Sequence, residues 1–137
     1  MKFALKDPMI IFARVKGKNG RVRELSGLLD FNSHFSWMLR KDAVDVGYPE
    51  AINRPEDYEA VAARRTPHIL SGRGLELGIL VSLEEVSIGN LVAKNIDAVT
   101  LKMDFPMMLP LDLILGRNFL RNFTLTVDPK AGYLTLE

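Results

Sequence analysis

The chain has no cysteine, one tryptophan, two histidines and no long apolar run in its 137 residues. Without cysteine there is no disulfide staple and no thiolate nucleophile or metal ligand, which fits a reducing compartment. His34 and His68 stand in no ligand spacing with acidic residues. Also absent are the Gly-Lys-Ser/Thr phosphate loop, the His-Glu-x-x-His pair and the Gly-x-Ser-x-Gly elbow. Metal, nucleotide and serine-nucleophile chemistry therefore have no support, and no cofactor is expected. No segment approaches the roughly 20 apolar residues of a membrane-spanning helix. The run Met9 to Ala13 is short and lacks the cleavage pattern of a signal peptide.

Charge of neither sign dominates. The 18 basic and 17 acidic residues leave a formal +1, so no global field recruits nucleic acid or an anionic membrane surface. The pairs Arg40-Lys41, Arg64-Arg65 and Glu84-Glu85 are too short to be binding tracts. A soluble, cytoplasmic protein without nucleic-acid or membrane partners is the expectation. At 47% apolar and 26% charged residues, the composition is that of one globular domain over 1–137 with a modest core.

Most of the chain reads as strand. Pro8 to Lys16 and Arg21 to Leu29 form a predicted hairpin around Gly17-Lys18-Asn19-Gly20. Ser36 is placed to cap a helix through Trp37, Leu39, Ala43 and Val46, ended by Gly47, with Pro49 preventing continuation. A second helix is predicted over 55–65, with Glu56 and Asp57 in its first turn and Arg64 and Arg65 in its last. Ile69 to Leu75 reads as a hairpin tipped by Gly72-Arg73-Gly74. Two extended runs follow, from Leu77 to Val86 and from Val86 to Leu101, turned at Gly89-Asn90 with a further turn read at Lys94-Asn95. Pro106 to Pro110 is a loop or edge, because proline removes ladder donors. Leu111 to Leu115 is a short buried strand ending at Gly116, and Arg117 to Arg121 one or two helical turns. Two terminal strands close the chain. Strand following strand argues an antiparallel barrel or sandwich over βαβ units.

One acid stands out. In Gly27-Leu28-Leu29-Asp30-Phe31-Asn32-Ser33 an apolar strand runs straight into a carboxylate and then into turn formers. A carboxylate there is costly to desolvate unless it is hydrogen-bonded or used in chemistry. Asp30 is thus either a turn-capping acid or a working residue.

Residues 27–38 resemble the active-site loop of retropepsin-like (retroviral-type) aspartic peptidases, in which apolar residues precede Asp-Thr/Ser-Gly. Asp112-Leu113-Ile114-Leu115-Gly116-Arg117-Asn118 is similar to that family's apolar-apolar-Gly signature and following helix. The resemblance implies an all-β, retropepsin-like acid protease barrel with two or three short helices. It implies a homodimer in which the two Asp30 carboxylates share one proton and activate a water against extended peptides or unfolded proteins. It places Phe31, Asn32 and Ser33 in the active-site loop, Gly72, Arg73 and Gly74 in a flap, and Met108 and Leu109, with Met107, in the substrate wall. It also implies that Lys2 to Leu5 and Gly132 to Leu136 interleave between subunits. Phe31 and Asn32 depart from the family's Thr/Ser and Gly. Ser33 is the hydroxyl nearest to replacing the missing one, and Asn32 the non-glycine residue best suited to a left-handed backbone. Two functions stay open: an aspartic endopeptidase, and a catalytically silent dimerisation or peptide/protein-binding module.

Overall fold

A computed structural model describes residues 1–51, 68–71, 74–77, 79–101 and 111–137. Its centre is a closed barrel of six strands: β2 (Ile10–Lys16), β3 (Val22–Leu29), β4 (Ser36–Leu39), β7 (Ile79–Ile88), β8 (Leu91–Leu101) and β9 (Leu113–Leu115). They close in the order β2-β3-β9-β4-β8-β7. Alternation builds the interior: Ile11, Ala13 and Val15 of β2 face Leu25 and Leu29 of β3 and Val81 and Leu83 of β7 across a continuous core. This is the all-β barrel expected from the run of strands, but not a purely antiparallel one: β3 and β9, and β4 and β8, run parallel.

The hairpin β2–β3 forms around residues 17–20, with Gly20 at φ 81° where a side chain would be strained. β7 and β8 pair over almost their whole length and turn at Gly89-Asn90. No turn interrupts β8 at Lys94-Asn95. The strand runs through, with Asn95 at φ 57° and no registered partner between the pairs Leu83–Ile96 and Glu85–Lys94. A turn signal in the sequence is spent here as a local kink.

The helix predicted from Ser36 begins four residues later. Ser36 to Leu39 are all buried as β4, held between β9 and β8. An apolar tetrapeptide satisfies either period, and pairing on two edges decides for strand. Only α1 (Arg40–Asp45) is helical, and Leu39, not Ser36, precedes it. Pro49 opens a single 3-10 turn (Pro49–Ala51). The helix expected over 55–65 lies outside the described residues. The second described α-helix is α2 (Arg117–Leu120), as the sequence indicated.

β5 (His68–Ser71) and β6 (Gly74–Leu77) make the expected separate hairpin. The remaining sheet has the order β1-β11-β10, from β1 (Lys2–Ala4), β10 (Leu125–Asp128) and β11 (Tyr133–Leu136). The two chain ends therefore pair with each other inside one protomer. The interleaving between subunits implied by the resemblance is not the pairing seen for β1 and β11. Among the described residues, no helix is long and apolar enough to cross a membrane.

α1 is tied to the first hairpin by charge. Arg23 Nη2 lies 3.1 Å from Asp42 Oδ1, and Nη1 lies 3.2 Å from Asp45 Oδ2. Asp42 is buried and its Oδ2 accepts no hydrogen bond. Burial raises the Asp42 carboxyl above its usual 3.8; Arg23 opposes the rise and the nearby Asp112 adds to it. The folded chain therefore holds this proton more tightly than the unfolded chain. The resulting stabilisation is complete below pH 3.8 and is lost as pH rises through the raised value. Denaturation of wild type and Asp42→Asn across pH 3 to 7 isolates this group. The stability difference, wild type minus variant, should fall as pH rises; a difference that rises or stays flat would contradict the burial effect.

Candidate active site

Two strand ends meet at Asp30. β3 and β9 run parallel, with Leu28 beside Ile114 and Leu29 beside Leu115, so both deliver their next residues to one end of the barrel. Asp30 follows β3 and Gly116 follows β9. The Asp30 backbone N–H donates to Leu115 O at 3.0 Å. Asp30 is half-buried, and its carboxylate accepts the backbone N–H of Asn32 at 2.9 Å. Such a bond orients the carboxylate.

The segment after the acid is clamped onto α2. Arg117 N–H donates to Ser33 O at 2.8 Å and Asn118 N–H to His34 O at 3.2 Å. A Cβ on Gly116 would stand 2.2 Å from Phe35 O and 2.7 Å from Ser33 O. Only glycine permits this approach, which explains the glycine that ends the second motif. Ser36 completes the joint: its hydroxyl donates to Asn118 Oδ1 at 2.8 Å and accepts Gly116 N–H at 3.1 Å. Asn118 Nδ2 in turn donates to Asp97 O at 2.6 Å. A buried, fully paired network of this kind fixes one geometry.

The loop residues behave differently from expectation in two respects. Ser33 is not a free substitute for the missing hydroxyl: its Oγ donates to Phe35 O at 2.8 Å and accepts Trp37 Nε1–H at 2.6 Å. Asn32 does not use the left-handed backbone; among the described residues only Asn95 does so without being glycine. Asn32 contributes its backbone amide. Phe31 projects from the loop, 45% exposed.

A second apolar cluster is buried beside the barrel core. Leu28, near the end of β3, packs in it with Trp37, Leu39, Val99, Leu101 and Ile114. This explains why β4 and β9 are buried on both faces and show no alternation. Leu28, Trp37 and Ile114 were not singled out by sequence; the unbroken apolar runs of β4 and β9 were the available signal. The expected wall residues Met107, Met108 and Leu109, and the flap residues Gly72 and Arg73, lie outside the described residues. Gly74 opens β6 and pairs with Ser71 beside that tip. Among the described residues, no cluster of three His, Asp or Glu is placed to hold a metal ion.

No protein-family model and no curated protein sequence matches the chain. Among solved structures, a retropepsin-like aspartic protease from Rickettsia conorii matches with a TM-score of 0.66 at 19% identity, covering 99% of this chain and 88% of that one. The chain thus has a retropepsin-like fold.

The clamp makes a sharp demand on residue 116. Gly116→Ala should lower unfolding stability by about 3 kcal/mol, the upper range for overpacking, as read by chemical denaturation. Trp37→Phe, which removes one hydrogen bond and keeps the packing, should cost about 1 kcal/mol. Equal costs for the two would contradict the close approach.

Proposed function

We propose that the protein is an aspartic endopeptidase that acts as a homodimer on extended peptides, with Asp30 of each protomer as the working acid. The placement of Asp30 carries this proposal: a half-buried residue just past the end of β3, with its carboxylate oriented by the Asn32 amide. The shared fold with a retropepsin-like aspartic protease supports it.

One protomer supplies one such acid, and the chemistry needs two. With two Asp30 carboxylates at a two-fold axis, like-charge repulsion keeps one proton on the pair. The ionised member takes a proton from water as that water attacks the scissile carbonyl. The protonated member hydrogen-bonds the carbonyl oxygen as it gains charge, and a proton then passes to the leaving amine. No metal or cofactor enters these steps.

Phe31 favours a second reading, a catalytically silent peptide-binding module of the same fold. It offers no hydroxyl and stands exposed next to the acid, as an anchor for a bound chain would.

Cleavage of unfolded protein substrates tests the choice. Wild type should cut with a bell-shaped pH profile, and Asp30→Asn should lower the rate by at least about 100-fold. Light scattering should give a dimer. Cleavage that survives Asp30→Asn, or a strict monomer that still cleaves, contradicts the shared-proton mechanism. Binding of peptides without cutting selects the module.

A further inference from the structure

A polar cavity of about 240 Å³ lies behind the acid loop, between α2 and β8. Phe35 lines it and also packs against the second apolar cluster. Lys94, Arg121 and His34 are among its lining residues, and Asp97 is the only acid there. Neither Lys94 nor Arg121 has an ion-pair partner among the described residues. Two cations against one carboxylate leave the cavity an excess of positive charge, which an anion offsets.

β8 borders the cavity at residues 94 to 97, with Ile96 buried in the barrel core. At Asn95, φ 57°, its ladder pairing is interrupted. Asn122 is already committed, with Nδ2 donating to Phe119 O at 2.9 Å and to Asn118 O at 3.2 Å. The donors left to a ligand are Lys94 Nζ, the Arg121 guanidinium, the Asn95 amide and the His34 imidazole.

We infer that this cavity binds an oxyanion, phosphate or carboxylate, either as a free ion or carried by an acidic peptide. The room available takes the anion with several waters. Occupancy would stiffen the segment after the acid, because Asn118 joins the cavity to His34 O and to the Ser36 hydroxyl. The site does not depend on Asp30 chemistry.

Amide shifts of the ¹⁵N-labelled full chain, followed during titration with inorganic phosphate at constant ionic strength in chloride, give the test. Saturable shifts centred on His34, Asn95 and Asn122 are expected. Lys94→Gln/Arg121→Gln should raise the Kd at least about tenfold; both residues are exposed, so the fold is not at risk. A second arm uses Asp30→Asn protein, to keep cleavage out, with an extended apolar peptide carrying Glu and its Gln counterpart. A Glu preference that vanishes in the double variant identifies a peptide-borne carboxylate. Phosphate saturation with no Glu preference identifies a free ion. Unsaturable phosphate shifts together with no Glu preference overturn the site, as does any binding unchanged by the double variant. A failed cleavage assay leaves each outcome readable.

Discussion

The close approach of the Gly116 turn to residues 33–35 is the constraint on which the site depends. β3 and β9 are far apart in sequence, and their parallel pairing brings two loops to one end of the barrel. Parallel neighbours cannot share a tight turn, so each loop needs its own anchor. The anchor is mutual: backbone amides of Asp30, Arg117 and Asn118 donate across the joint, and a side chain at 116 would push it open. A carboxylate can be used in chemistry only if it is held where the reacting atoms will be. The clamp does that within a single protomer, before any partner is considered.

Much of this was legible because it rests on local chemistry. An apolar strand running into Asp30, a glycine closing Leu113 to Leu115, and turn residues at 17–20 and 89–90 each specify their own surroundings. Ser36 to Leu39 misled because four apolar or small residues fit either period and the deciding edges come from β8 and β9, some 60 and 75 residues away in sequence. Asn95 misled for a related reason: turn chemistry marks a left-handed backbone without saying whether the chain reverses there. The second apolar cluster was hidden because burial on both faces erases alternation. The roles of Ser33 and Asn32 depended on which groups reach them, and no spacing rule conveys that.

The bonds within the loop change what its unusual residues mean. The backbone amide at position 32 serves the carboxylate whatever its side chain, so asparagine there costs the acid no partner. The Ser33 hydroxyl is consumed between Trp37 and Phe35, bracing the loop from inside its own chain. Phe31 is left exposed beside the acid. Phe35 packs against the second apolar cluster and also lines the cationic cavity.

The proposed mechanism requires two Asp30 side chains to meet, since one carboxylate alone supplies either the base or the acid but not both at once. A crystal structure of the assembled protein measures their separation directly. Carboxylate oxygens within about 3 Å of each other across a two-fold axis, close enough to share a proton, are the expected result. Asp30 side chains far apart in the assembly, each facing bulk solvent, would contradict paired-acid hydrolysis.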